Sequence, residues 1–202
     1  MTSGSLLIIF TKNPEPGLVK TRLARSIGDE KALEVYEKLR CHTALIAEKA
    51  AVNRTACYSH FLPATDIFLT EHFNAQLQVG EDLGERMLNA ISRGFDEGFR
   101  HIVLIGTDCY ELSTANLDSA FLALERADAV VGPALDGGFY LIGLNKPIPE
   151  LFLKREWSTK EVLSGTLDIL QCLSLSYELL PELSDIDTFE DLKKSGLWTH
   201  EA

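Results

Sequence analysis

The sequence predicts an α/β fold, a three-layer α/β/α sandwich with a mainly parallel Rossmann-like sheet, in one domain that spans residues 1–202. Three apolar runs carry this prediction, because each is too short for an ordinary helix and has the composition of a strand buried on both faces. These runs are residues 6–10, 101–106 and 139–144. Helical patterns separate the strand candidates, and such alternation is typical of a sheet that is covered on both faces.

The remaining elements are predicted from periodicity and from the residues at their ends. Leu33, Tyr36, Leu39 and Thr43 recur at helical spacing, which predicts a first clear helix over 29–50. The other predicted helices are 66–73, 83 to about 98, 114–126 with Ser113 as N-cap, 159–173 with a capping box over 158–161, and a short helix after Asp187. The other predicted strands are 54–61, 76–79, 128–132 and 177–180. The Gly137-Gly138 turn is too short for a helical crossover, so one strand near it is expected to run antiparallel.

The chain is acidic, with 19 Lys and Arg against 30 Asp and Glu and a formal net charge of −11. This balance argues against nucleic acid or an anionic membrane as the main partner. No apolar run has the length of a membrane span, and residues 1–10 lack the basic segment and long apolar core of a signal peptide. The four cysteines are scattered without a C-x-x-C pair, so a reduced, cytoplasmic protein is expected.

A basic loop, residues 12–22, contrasts with this acidity. The first 25 residues contain Lys12, Lys20, Arg22 and Arg25 against only Glu15. Two prolines and a glycine stiffen the loop, which directly follows the first buried strand. A rigid basic loop at the end of a buried strand is typical of an anion site in an open α/β sheet, and it indicates a small anionic ligand. The alternative is a solvated loop whose cations bind nothing.

Two aspartates follow other predicted strands. Ligands of such sheets bind outside the carboxyl ends of the strands, so one cleft containing Lys12, Asp108 and Asp136 is expected. The carboxylate of Asp108 would suit Mg²⁺ or Mn²⁺, although it could instead cap the following turn, as Asp136 could be a simple turn residue. A D-I-D-T motif that includes Asp187 resembles part of an aspartyl-phosphatase motif, but Asp187 with Glu190 also has the pattern of a capping box.

Motifs of several other chemistries are missing from the sequence. It has no P-loop, no G-x-G-x-x-G and no G-x-S-x-G, and its histidines lack metal-ligand spacing. Basic groups facing carboxylates are the residue set of a metal–phosphate site, in which a divalent ion bridges phosphate oxygens while Lys and Arg neutralise the remaining charge. Phosphoryl or nucleotidyl transfer, or loss of a nucleoside diphosphate, needs little else from a protein.

Six segments together resemble a family of bacterial transferases in the nucleotide-diphospho-sugar transferase superfamily, which has the GT-A fold. In chain order they read TKNPEPGLVKTRL, GEDLGERM, LIGTDC, GPALDGGFYLIGL, WST and DIDTFEDL. The resemblance covers nearly the whole chain. Members are called glycosyltransferase-like or are named for radical-SAM or selenodomain gene neighbours, and the chain is also similar to 2-phospholactate and molybdenum-cofactor guanylyltransferases.

The resemblance implies roles for individual residues. Those implied to bind the nucleotide are Lys12, Gly17, Lys20, Arg22, Gly80 and Asp82. Those implied in catalysis are Lys20, Arg22, Asp108 and Asp136, the last on the acceptor side. Asp108 and Asp187 are the implied ligands of Mg²⁺ or Mn²⁺, with Asp185 as an alternative to Asp187. Tyr110 departs from the family pattern, which has proline after the cysteine, and could reshape the loop beside the metal.

The predicted function is therefore a metal-dependent transferase that uses a nucleotide-activated donor and a small-molecule acceptor. The number of cations in one loop favours a nucleoside triphosphate and nucleotidyl transfer, whereas the family resemblance favours a nucleotide sugar and glycosyl transfer. The rival from another class is a nucleotide-binding or sensing module without turnover. The sequence leaves the base, the sugar, the acceptor and the oligomeric state open, with a homodimer as one alternative.

Overall fold

The computed structural model describes residues 4–198. Residues 1–3 belong to the segment in which no signal peptide is expected, and they lie outside the described range. The strands are β1 Ser5–Thr11, β2 Asn53–Tyr58, β3 Asn74–Leu77, β4 His101–Ile105, β5 Ala129–Pro133, β6 Phe139–Leu144 and β7 Tyr177–Leu179. The α-helices are α1 Thr21–Ile27, α2 Asp29–Lys49, α3 Leu83–Asp96, α4 Thr114–Leu124, α5 Val162–Cys172 and α6 Phe189–Lys194. A 3₁₀ turn covers Pro149–Leu151.

The strands form one seven-stranded sheet in the order β3-β2-β1-β4-β6-β5-β7. Strand β6 pairs antiparallel with β4 and β5, while β1 pairs parallel with β2 and β4. The reversal occurs at the Gly137-Gly138 turn, where Gly137 has a φ of 91° that favours glycine. The predicted antiparallel strand near this turn is therefore confirmed.

Helices cover both faces of the sheet, which confirms the predicted three-layer α/β/α architecture. Leu7 and Ile9 of β1 pack with residues of α2 and α4, whereas Leu6 and Ile8 pack with residues of α3 and α5. This division follows from the strand geometry, since successive side chains point to opposite faces. A third apolar cluster joins α1, the first half of α2 and α6. None of the described helices is long and apolar enough to cross a membrane.

The helix predicted over 66–73 is wrong, because this segment forms turns. The carboxylate of Asp66 accepts hydrogen bonds from Arg40, from the hydroxyl of Tyr58 and from the backbone N–H of Phe68. A short polar side chain that binds nearby backbone in this way competes with helix formation.

Two predicted capping boxes are also wrong, whereas the predicted Ser113 cap of α4 is confirmed. Ser158 has a φ of 63°, in the left-handed region, and α5 begins only at Val162. At α6 the capping box is formed by Thr188 and Asp191, one residue after the predicted pair. The side chain of Asp187 therefore takes no part in the cap and is free to make other contacts.

Candidate active site

A cleft of about 680 Å³ lies at the carboxyl ends of β1 and β4. It brings together most of the residues that the sequence singles out, although their roles stay predictions. Those that line it are Lys12, Lys20, Arg22, Asp82, Asp108, Asp136 and Asp187. Gly17 and Gly80 are not among the described residues that line the cleft.

Lys20 lies at the centre of this cleft, at the end of the basic loop. Its Nζ atom is 2.5 Å from Oδ1 of Asp108 and 3.1 Å from Oδ1 of Asp187. Burial alone would lower the pKa of Lys20, but the two carboxylates raise it above its ordinary value. The amine therefore stays protonated and is shared between two carboxylates, one from the middle of the chain and one from near its C-terminal end.

Asp185 is a third carboxylate beside this amine. Its side chain is partly buried, and its Oδ1 atom is fully buried and has no hydrogen-bond partner among the described residues. Burial raises the pKa of Asp185 to about 7, with a further contribution from the negative charge of Asp108. The backbone N–H of Ile186 donates to the carbonyl of Asp108 over 3.0 Å, which fixes this segment against the end of β4. We call Lys20, Asp108, Asp185 and Asp187 the Lys20 cluster.

The Lys20 cluster offers carboxylate oxygens of the kind that bind a divalent metal ion. The described residues contain no group of three or more His, Cys, Asp or Glu side chains arranged to hold a metal. Mg²⁺, however, is commonly bound through one or two carboxylates together with substrate phosphates and waters. Asp108 and Asp187 meet this smaller requirement, and the unpartnered oxygen of Asp185 is a further acceptor beside them. The residues therefore fit an ion that arrives together with phosphate.

Helix α2 positions the ends of β1 and β4 through Tyr36, which sequence reasoning missed. The Tyr36 hydroxyl accepts hydrogen bonds from the backbone N–H of Lys12, at 2.8 Å, and from Oγ1 of Thr107, at 3.2 Å. One helical turn later, Nε of Arg40 donates to Oγ1 of Thr11 over 3.0 Å. The only signal in the sequence is the place of Tyr36 in the helical apolar pattern, which predicts burial but not its partners.

The wall formed by α3 adds another cation, Arg86, which ends the segment 80–86 that the family resemblance implies to contact base or ribose. Its Nε donates to the carbonyl of Gly80 over 3.0 Å, and a Cβ on Gly80 would lie 2.8 Å from the backbone nitrogen of Arg86. Gly80 thus allows the turn to approach α3 closely, although it is not a lining residue. Asp82 caps α3 by accepting from the backbone N–H of Glu85 over 2.9 Å.

A further part of the cleft wall carries Asp136. Its Oδ1 accepts from the backbone N–H of Gly138 over 2.9 Å, so it stabilises its own turn while its exposed side chain faces the cleft. Phe139 and Trp157 extend this wall, with ring centroids 6.3 Å apart. Tyr110 is not among the described lining residues, because its ring contacts His42 of α2 with centroids 4.7 Å apart.

Carboxylates outnumber cations among the described residues of the cleft. The acidic members are Glu81, Asp82, Asp108, Asp136, Asp185 and Asp187, and the basic members are Lys12, Lys20, Arg22 and Arg86. The six acidic and four basic side chains give the cleft a net negative charge, although the sequence around the basic loop has an excess of positive charge. The sign changes because folding brings distant acidic residues to the basic loop. A polyanionic ligand needs an accompanying cation to bind well in such a field.

This sheet with its helices has the nucleotide-diphospho-sugar transferase fold, as a comparison with solved structures shows. A protein from Desulfovibrio desulfuricans G20, described as a "putative nucleotide-diphospho-sugar transferase", matches with a TM-score of 0.88 and 32% identity over 95% of this chain and 85% of that chain. CMP:2-keto-3-deoxy-manno-octonic acid synthetase in complex with CTP gives 0.59 and 9% over 96% and 98%. Rv0371C from Mycobacterium tuberculosis H37Rv, in complex with manganese, gives 0.59 and 12% over 96% and 98%. The last two show a shared fold alone.

The chain belongs to the family described as "Uncharacterized protein conserved in bacteria (DUF2064)", whose model matches residues 41–159. A comparison with curated proteins gave no match. The matched segment contains Asp108 and Asp136, while the basic loop lies outside it. The structural match at 32% identity covers 95% of the chain. The predicted membership of the nucleotide-diphospho-sugar transferase superfamily is therefore confirmed.

Proposed function

We propose that this protein is a divalent-metal-dependent transferase that binds a nucleotide-activated donor with its phosphates between the basic loop and Asp108. The observation that carries this proposal is the lysine amine shared by Asp108 and Asp187 at the carboxyl ends of the central strands. Ligands of open α/β sheets bind at this edge, and paired carboxylates beside cations suit a metal–phosphate complex. The transferase description of the relative at 32% identity supports the same class.

The chain's own residues bind and orient the donor in this proposal. Arg22 has a side chain that is 65% exposed and only a long contact of 3.9 Å with Asp187, so its guanidinium can grip a phosphate with two hydrogen bonds. The exposed Lys12 offers a second charge, and its backbone is held by Tyr36. A divalent ion, when bound, supplies neutralisation of the charge that develops on the phosphates.

Asp136 is the proposed residue on the acceptor side. Its exposed carboxylate lines the cleft, and a carboxylate there can accept a proton from an acceptor hydroxyl. The aromatic pair Phe139 and Trp157 beside it offers an apolar surface for the acceptor. The acceptor is accordingly proposed to be a small molecule with at least one hydroxyl or phosphate group.

The proposal includes both donor classes, a nucleoside triphosphate and a nucleotide sugar. Arg25 is not among the described residues of the cleft, so the charge argument for a triphosphate loses one of its cations. Lys20 is engaged by two carboxylates and would have to leave them to bind a phosphate. A triphosphate donor would lose pyrophosphate, and a nucleotide sugar would lose a nucleoside diphosphate. The leaving group therefore distinguishes nucleotidyl from glycosyl transfer.

The test is to incubate the protein and Mg²⁺ with each ribonucleoside triphosphate, or with nucleotide sugars, and a pool of phosphorylated metabolites. We expect release of pyrophosphate or of nucleoside diphosphate, respectively. Binding is followed in parallel by thermal shift, because a ligand at a hundred times its dissociation constant adds about 2.7 kcal/mol of stability. Saturable binding without either product would favour the sensing module, and absence of both binding and product would contradict the proposal.

A further inference from the structure

We propose that Lys20 makes the cleft selective for a metal–nucleotide complex over the free metal ion, by occupying the space between Asp108 and Asp187 until nucleotide phosphates draw its amine away. The proposal rests on the proposed function, because it assigns a nucleotide and a divalent ion to the same cleft. It concerns a step that precedes any chemistry, namely which form of the metal the site accepts.

The first argument is the depth at which the amine lies. The Lys20 side chain is 4% exposed, whereas those of Asp108 and Asp187 are 45% and 43% exposed. The lysine therefore fills the inner part of the site, and its partners face the cleft. A divalent ion bound to both carboxylates would lie close to the same space, and two cations at such short range repel each other strongly.

The second argument is what the amine gains or loses when it moves. A free metal ion must displace Lys20 from two carboxylates, and the only ligand it brings is water. A nucleotide brings phosphate oxygens, which offer charge-assisted hydrogen bonds to the displaced amine and additional ligands to the ion. The phosphates thus offset both losses, so metal and nucleotide binding should reinforce each other reciprocally.

The third argument is that the exchange needs only a side-chain movement. Lys20 has φ 48° and ψ 42°, and its carbonyl accepts the first helical hydrogen bond of α1, from the N–H of Ala24 over 2.8 Å. This non-glycine residue is held in the left-handed region by the structure around it, as is common at binding sites. The flexible four-carbon stem can then carry the ammonium group from carboxylates to phosphates while the backbone stays in place.

The test measures Mn²⁺ binding by calorimetry in the absence of nucleotide. We expect Lys20→Met, which keeps most of the side-chain length but removes the charge, to bind free Mn²⁺ about tenfold more tightly than the parent, within the usual range of coupling between sites. Lys20→Arg keeps a cation between the carboxylates and should bind Mn²⁺ as weakly as the parent. Lys146→Met is the matched control, because it removes one exposed positive charge just after β6, at the opposite edge of the sheet.

A second arm repeats the titration with the nucleotide or nucleotide sugar that gives the largest thermal shift. We expect it to raise the affinity of the parent for Mn²⁺ about tenfold and to raise that of Lys20→Met much less. If Lys20→Met binds free Mn²⁺ no more tightly than the parent does, the proposal is overturned. If that variant does not fold, equal Mn²⁺ affinity of the parent with and without the nucleotide overturns it. Failure of every nucleotide to bind in the presence of Mn²⁺ contradicts the proposed function, and the nucleotide-free arm still tests Lys20.

Discussion

Arg40 and Lys20 are both buried cations paired with aspartate, with side chains 3% and 4% exposed, yet their surroundings differ. The partner of Arg40 is Asp66, itself 6% exposed, and we call these two residues the Arg40 pair. The carboxylate of Asp66 accepts hydrogen bonds from Arg40, Tyr58 and the backbone of Phe68. In the Lys20 cluster the carboxylates of Asp108 and Asp187 are nearly half exposed to the cleft.

The two sites differ in how completely their polar groups are hydrogen-bonded, and this difference indicates different roles. A buried network whose members are all satisfied rigidifies its surroundings, and Arg40 also holds Thr11 at the end of β1. The Lys20 cluster has an unpartnered carboxylate oxygen on Asp185, within the described residues, and partners that can bind a ligand. We infer that the Arg40 pair supports the frame of the cleft, and that the Lys20 cluster is the part that exchanges partners.

The largest expected effect is on stability, in the Arg40 pair. Arg40→Met should lower the free energy of unfolding by about 3–5 kcal/mol, because it leaves the carboxylate of Asp66 buried without its charge partner. Urea unfolding measures the change. Arg126→Met is the matched control, since Arg126 pairs with Glu178 at the exposed surface and its loss should lower the stability far less. Equal losses in the two variants would contradict the assigned role of the Arg40 pair.

The same pair predicts a pH dependence. Burial alone would raise the pKa of Asp66, but the hydrogen bonds from Arg40, Tyr58 and Phe68 hold it below its ordinary value. A depressed folded pKa contributes stability above the unfolded value of about 3.9, and that contribution is lost as the pH falls through the folded pKa. The stability difference between the parent and Arg40→Met should therefore shrink below about pH 4. A difference that is constant with pH would contradict this.

The sequence could identify several residues of the Lys20 cluster, because Asp108 lies just beyond a strong apolar run and Lys20 ends the basic loop that follows another. The carboxyl ends of these two strands meet at one edge of the sheet. It could not identify the Arg40 pair. Arg40 and Asp66 are 26 residues apart, and neither lies at the end of a strand. The burial of Asp185 was equally hidden, since it depends on the hydrogen bond that joins Ile186 to the end of β4.

A smaller effect of opposite sign is expected within the Lys20 cluster. Asp185→Asn should raise the stability of the metal-free protein by about 1–2 kcal/mol, because it removes a negative charge that burial and the neighbouring Asp108 carboxylate disfavour. Asp66→Asn is the matched control and should lower the stability of the protein, since the charge of Asp66 is paired with that of Arg40. The measurement is urea unfolding in the presence of a chelator. Destabilisation by both variants would remove the distinction between the two sites.

The smallest expected effect concerns the exposed end of the basic loop. Arg22→Ala should weaken nucleotide binding about fivefold at low salt, because one charge-assisted grip on phosphate is lost, and less at high salt, where screening also weakens the parent. Arg25→Ala should change little, as Arg25 is exposed and outside the described lining of the cleft. Calorimetric titration at two salt concentrations measures both variants. If Arg22→Ala and the parent bind the nucleotide with equal affinity, the alternative of a solvated loop whose cations bind no ligand is favoured.

The most direct test of the central claim is the metal dependence of nucleotide affinity in Asp108→Asn. Asparagine keeps the size and turn preference of aspartate but lacks the charge that holds a divalent ion. Calorimetry with and without Mg²⁺ or Mn²⁺ compares it with the parent and with Asp118→Asn, a control on the exposed surface of α4. We predict that the metal strengthens nucleotide binding to the parent and to Asp118→Asn, and has no effect on Asp108→Asn. A metal response in Asp108→Asn equal to that of the parent would contradict the account.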